Sequence, residues 1–174
     1  MKIPTHRNPK LTYNLNPNFT RNISPKNGPL NPTFSRAINP KYQTNLNPTF
    51  SQKLNPNYEK QFNPHFNATI NPLKERDLHP KFNKALNPSY SQEIQGKYIF
   101  NKKGVGTSFT VKADENTILL YSPASSWLGF GIKNDIEGYV IFNAALKWIQ
   151  HWVPNTEDNF NIFDVKNEWL GFTT

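Results

Sequence analysis

Cysteine is absent from the 174 residues, and methionine occurs once. That excludes disulfides, thiolate zinc sites, iron–sulfur clusters and cysteine nucleophiles. No apolar run approaches the ~18 residues a membrane-spanning helix needs. Met1 to Lys10 (MKIPTHRNPK) has no apolar stretch of the kind that directs secretion. The expectation is a cytoplasmic protein without membrane contact, with export by a specialised apparatus left open. Apolar residues make up 36%, roughly 41% once glycine is added, below the usual ~45–50%. Any core must be thin. The 14% aromatic share is nevertheless too high for simple disorder.

Composition and charge change together near Gly96. Residues 1–96 hold 13 of the 15 prolines and 17 of the 25 asparagines, with 13 Lys/Arg against 4 Asp/Glu. Residues 97–174 hold 7 Lys against 8 acids, and all four tryptophans. The net charges are thus +9 and −1, and they sum to the +8 of the whole chain. Two different units are expected, 1–95 and 96–174.

The first unit is an octapeptide repeat. Asn-Pro or a close relative begins at Asn8, Asn16, Ser24, Asn31, Asn39, Asn47, Asn55, Asn63, Asn71, His79 and Asn87. Every step is eight residues except the seven from Ser24 to Asn31. An aliphatic residue or Phe stands just before most pairs, as at Leu46, Leu54, Phe62 and Ile70, and an aromatic three residues after most, as at Phe50, Tyr58 and Phe66. A proline every eight residues excludes a long helix, at ~3 kcal/mol for each interior site. Asn before Pro opens turns well, and it also suits a helix N-cap followed by the first helical position. The reading favoured here is a narrow solenoid of turns and short extended segments, with one-turn helices or disordered low-complexity sequence as alternatives. Stacked neighbours are expected to bury both apolar columns. Core packing is also the expected role of Tyr42, Tyr58 and Tyr90, whose Asn-Pro-x-Tyr context suggests an adaptor ligand.

The second unit repeats every 21 residues, four times. Phe100, Tyr121, Phe142 and Phe163 form one column, preceded by Ile99, Leu120, Ile141 and Ile162. Six residues further come Gly106, Trp127, Trp148 and Trp169, and nine further Phe109, Phe130, His151 and Phe172. Each repeat reads as a β-hairpin, with an Asx turn opening a loop such as Asp164 to Glu168. The expected register places Phe163 opposite Trp169, Phe142 opposite Trp148 and Tyr121 opposite Trp127, with Ile162 opposite Leu170. Both faces of such a hairpin are apolar near the loop, so both need covering. The fold class expected overall is mainly β: an octapeptide-repeat solenoid, then a four-hairpin β array.

Phe142-Asn143 and Phe163-Asp164, with Trp148 and Trp169 downstream, resemble bacterial hairpin repeats of the YD type in RHS-like shells and of the WG-like type. Choline-binding repeats are a more distant comparison. The Gly-Arg-Leu that usually follows the YD pair is missing here. The Asn-Pro octads are similar to uncharacterised bacterial octapeptide-repeat proteins. The resemblance implies repeat architecture and brings no active-site motif.

Signs of chemistry are sparse. His6, His65, His79 and His151 are dispersed, and the last two replace a repeat Asn and a repeat Phe. Gly104-Val105-Gly106 lacks the Lys-Ser/Thr of a phosphate loop and reads as the first hairpin loop. No catalytic residue, metal site or cofactor is expected. The favoured function is a non-enzymatic scaffold for a protein partner or for self-association, through an uncapped final hairpin edge. Trp127, Trp148, Trp152 and Trp169 are its candidate aromatic contacts, although core packing accounts for them as well. The alternative is non-specific binding of nucleic acid or another polyanion by Lys10, Arg21, Lys26, Arg36, Lys41, Lys53, Lys60, Lys81 and Lys84. These positives occupy several octad positions, so no stripe is evident. A further alternative is glycan or cell-surface binding by the aromatic hairpins.

Overall fold

Two hydrogen-bonded turns build each octad. The computed structural model describes residues 29–90, 96–155 and 158–174, so the units beginning at Asn8 and Asn16, and the one beginning at Ser24 except for Pro29 and Leu30, lie outside the described residues. In the unit at Asn55, the backbone carbonyl of that Asn accepts from the amides of Tyr58 (3.0 Å) and Glu59 (2.8 Å). Its side-chain oxygen accepts from the Asn57 amide at 2.9 Å. Pro56 presets the φ that such a turn requires. The second turn is a 3-10 turn over the last three residues of the unit. Seven of these, from Arg36–Ile38 to Lys84–Leu86, occur among the described residues. One extended residue stands on either side, as Ser51 and Asn55 do around Gln52–Leu54. The extended segments expected from sequence therefore shrink to single residues. The 3-10 turn satisfies the Leu54 and Asn55 amides locally, each at 3.1 Å, where an extended strand would need a partner strand.

The Asn side chains tie one unit to the next. Their amide nitrogens donate to the preceding proline carbonyl, Asn39 to Pro32, Asn47 to Pro40, Asn55 to Pro48, Asn63 to Pro56 and Asn71 to Pro64, at 2.8–3.0 Å. His79 keeps the turn bond through Nδ1 to the Lys81 amide (3.0 Å), and the backward series resumes at Asn87 to Pro80 (3.4 Å). Asn71 is fully buried with both ends of its side chain matched. Asn71→Asp keeps the acceptor for the Leu73 amide, loses the donor to Pro64 and buries a charge against that carbonyl. The expected cost is about 2–3 kcal/mol, read as a lower denaturation midpoint. An unchanged midpoint would mean that the Asn series carries no stability.

The aromatic column does not pack inward as expected. Leu30, Leu54, Phe62, Leu78 and Leu86 are buried, while Phe34, Tyr42, Phe50, Tyr58, Phe66, Phe82 and Tyr90 are exposed. The two columns lie half a period apart in a unit whose two turns differ, so they emerge on opposite sides.

The C-terminal part is a closed antiparallel barrel. Its strands are β1 (Tyr98–Asn101), β2 (Gly106–Lys112), β3 (Thr117–Tyr121), β4 (Trp127–Lys133), β5 (Tyr139–Asn143), β6 (Trp148–Pro154), β7 (Phe160–Asp164) and β8 (Trp169–Thr173). Each pairs with the next, and β8 returns to β1. Tyr98 and Thr174 extend that seam by exchanging both backbone bonds at 3.0 Å. The last hairpin therefore has no free edge for a second copy, because closure pairs both outer strands.

All four hairpins share one design. Asn101, Asn143 and Asp164 each accept, through the side chain, from the amides two and four residues on, at 2.9–3.0 Å. Gly104, Ser125, Leu146 and Asn167, spaced by 21, take the left-handed conformation at the same loop position. The pairs Tyr121–Trp127, Phe142–Trp148 and Phe163–Trp169 stand in the expected register. Ile162, however, faces Gly171 and not Leu170. A β-bulge at the same place in every hairpin adds one residue to the second strand. The Trp indole spans it, donating to the carbonyl two residues on: Trp127 to Gly129 (2.7 Å), Trp148 to Gln150 (2.9 Å) and Trp169 to Gly171 (2.6 Å).

The bulge sorts the two faces. Ile99, Leu120, Ile141 and Ile162, one from each odd-numbered strand, gather in one buried cluster with Ile118, Trp152 and Phe160. Strands on opposite sides of a closed sheet meet only through its interior, which in an eight-stranded barrel is just wide enough for side chains to fill. The opposite face carries four stacked ring pairs: Phe109–Tyr121, Phe130–Phe142, His151–Phe163 and Phe172–Phe100. Their centroids lie 5.6–5.7 Å apart. These pairs join each hairpin to the next, and the last spans the closing seam.

The octads cover that outer face. Phe62 and Leu86 belong to its buried cluster. From Asn47 on, the polar contacts run backward around the barrel as the octads run forward. The Leu30 carbonyl accepts from Asn161 on β7 (3.0 Å), and Asn47 accepts from Asn167 in the β7–β8 loop (3.1 Å). His65 lies 3.2 Å from the Leu146 carbonyl in the β5–β6 loop. The Leu86 carbonyl accepts from the Tyr121 hydroxyl at the end of β3 (2.8 Å). The hairpins thus receive on one face the cover they need, and on the other they cover each other.

Candidate functional site

The octads present a row of solvent-exposed aromatic rings. Phe34, Tyr42, Phe50, Tyr58, Phe66, Phe82 and Tyr90 are 54–72% exposed, one per unit, with Lys74 in the remaining place. Hydrophobic burial pulls the Leu-Asn-Pro side of each unit onto the barrel and leaves the rings to solvent. Four rings carry a cation over their face: Arg36 on Tyr42 (4.9 Å), Lys60 on Phe66 (5.3 Å), Arg76 on Phe82 (4.6 Å) and Lys84 on Tyr90 (5.5 Å). In every case the cation lies six residues before the ring. The 3-10 turn places it there, since Arg36, Lys60, Arg76 and Lys84 are the first residues of their turns. Each such contact is worth about 0.5–1 kcal/mol at an exposed site. Their chemical result is a repeated pairing of π face and positive charge.

The structure sorts the basic residues expected from sequence into three groups. Arg36, Lys60 and Lys84 join the aromatic row, and Arg76, which sequence reasoning passed over, joins them. Lys53 and Lys81 are exposed on the octads away from these ring contacts. Lys41 turns to the barrel and pairs with Glu168 at 2.5 Å. Lys10, Arg21 and Lys26 lie outside the described residues. A basic residue at i with an aromatic at i+6 was the signal that could have found the row.

The four tryptophans take other positions. Trp127, Trp148 and Trp169 are half-buried on the outer face of the barrel, beside the octads. Trp152 is 1% exposed and lies inside the barrel against Phe160 and Tyr139. His79 packs its ring on Trp127 (5.4 Å). Among the described residues no three His, Asp or Glu side chains are grouped to hold a metal ion. None of their helices is long and apolar enough to cross a membrane.

Buried titratable groups sit where octads and barrel meet. Burial pushes the Tyr121 hydroxyl well above its ordinary pKa, which keeps it a neutral donor to Leu86. Burial pushes His151 down to about 4, against weaker upward pulls from Asn167 and Asp164. No protein family, curated protein or solved structure matches this chain.

Proposed function

We propose that the protein is a non-enzymatic binding scaffold whose working surface is the row of cation-capped rings. Single-stranded nucleic acid is the ligand that this surface fits best. In this reading the octads act as a narrow solenoid. The 21-residue units are hairpin repeats akin to the YD and WG-like types, and the barrel they form is the spool that holds the solenoid taut. The observation that carries the proposal is the exposure of seven rings at one octad position, four of them under a cation. Single strands are bound by such a combination, because bases stack on aromatic faces while cations follow the backbone. A duplex keeps its bases paired and offers only its phosphates.

The test is fluorescence anisotropy of the full-length protein with oligo(dT), a duplex of equal length and heparin, from ~50 to ~200 mM salt. With the four row cations each neutralising one phosphate, log affinity should fall against log salt with a slope of about −3 for single strands. Oligo(dT) should bind tighter than either competitor. Equal affinity for heparin, or no salt dependence, would remove the nucleic-acid reading and leave a protein partner as the scaffold's ligand.

A further inference from the structure

The barrel has a second surface, independent of the aromatic row. Its end away from the hairpin loops opens into a cavity of about 350 Å³. Inward-facing residues of successive strands line it, and they divide into a floor and a rim. The floor is aromatic: Tyr139 meets Trp152 and Phe160 edge-on at 5.9 and 5.3 Å. The rim carries three ammonium groups, from Lys97 just ahead of β1, Lys112 at the end of β2 and Lys133 at the end of β4. Lys112 and Lys133 share one repeat position 21 residues apart, and Lys97 stands beside β2, its backbone bonded to Thr110.

The charges at this mouth are unevenly held. Lys97 pairs with Asp158 (3.2 Å), Lys112 with Glu115 (3.1 Å) and Lys133 with Glu137. The lysine side chains are 29–45% exposed, but the carboxylates are 74–92% exposed. Pairs of that kind hold little energy, so the carboxylates can swing into solvent and leave the ammonium groups at the rim for a ligand anion. The mouth then offers a largely buried aromatic floor beneath three ammonium groups. Its volume suits a small molecule, and barrel mouths are common ligand sites.

We propose that this mouth binds a small planar aromatic anion, with the ring against Tyr139, which Trp152 and Phe160 back from within, and its carboxylate or phosphate among Lys97, Lys112 and Lys133. The ring supplies the apolar burial, and the three ammonium groups supply charge-assisted hydrogen bonds.

Calorimetric titration of the full-length protein tests this with four probes: indole-3-acetate, AMP, neutral indole and cationic tryptamine. At least one of the two anions should bind, and more tightly than indole. Which of them binds tells a carboxylate from a phosphate requirement. Tryptamine should not compete. K112Q/K133Q, altered only at the rim, should weaken anion binding at least ~tenfold. R36Q/K60Q, altered on the octads, should leave it unchanged and so separates this site from the aromatic row. The proposal is overturned if neither anion binds at about 1 mM, if indole or tryptamine binds as well as the anions, or if K112Q/K133Q retains full affinity.

Discussion

Gly171→Ala is expected to destabilise the protein by about 3 kcal/mol or more, at the upper end of what overpacking costs. A Cβ at Gly171 would stand 2.0 Å from the Phe100 carbonyl oxygen and 3.0 Å from the Asn101 Cα. Both obstacles are backbone of β1, so no rotamer change relieves them. The only relief is separation of β8 from β1, and that pairing closes the barrel. Opening the seam also unstacks Phe172 from Phe100. Gly106→Ala is the matched control, because its Cβ would meet nothing nearer than the Phe100 ring at 3.7 Å. Chemical denaturation of the two variants should show a large fall in midpoint for the first and little change for the second. Equal midpoints would contradict a closed barrel.

The second large effect depends on pH. His151 occupies the place that Phe109, Phe130 and Phe172 fill in the other repeats, and stacks on Phe163 at 5.6 Å. It is 2% exposed, and its Nε2 has no hydrogen-bond partner. Because burial lowers its pKa to about 4, the unfolded chain takes up a proton between pH ~6.5 and ~4 that the folded chain refuses. Stability therefore falls as the pH drops through that window, by about 3 kcal/mol from this one group. His151→Phe should remove that component, because phenylalanine has no group to titrate. Urea midpoints of both proteins from pH 7.5 to 4 measure it. Parallel curves would show that His151 does not titrate on unfolding.

The 21-residue period made the hairpins legible, because cross-strand partners within one repeat are separated by a fixed, short loop. Phe163–Trp169 and the Asx turn at Asp164 followed from that spacing alone. The bulge that exchanges Leu170 for Gly171 opposite Ile162 was not legible, since the 21-residue spacing does not call for the extra residue that each second strand carries, even beside Gly106, which has no indole. Closure was hidden too: a period relates neighbours and is silent about whether the first strand meets the last. In the octads the Asn side chains could be assigned to corner backbone groups from their chemistry. The direction of the Phe/Tyr column could not, because which side faces inward is decided by the barrel, many residues away. The mouth lysines went unnoticed for a similar reason. Lys97, Lys112 and Lys133 converge only once the sheet has closed.

In the proposed function the exposed rings, and not positive charge alone, hold the ligand. Oligo(dT) binding should therefore be measured with a variant in which Tyr42, Phe50, Tyr58 and Phe66 are all replaced by alanine and every Lys and Arg is retained. These rings are exposed, so folding and net charge should persist, which circular dichroism and the denaturation midpoint check. At about 1–3 kcal/mol per stacked base, loss of even two contacts should weaken binding by ~30-fold or more, with little change in the salt slope. Binding as tight as that of the unaltered protein would contradict the account and reduce the octads to a basic surface.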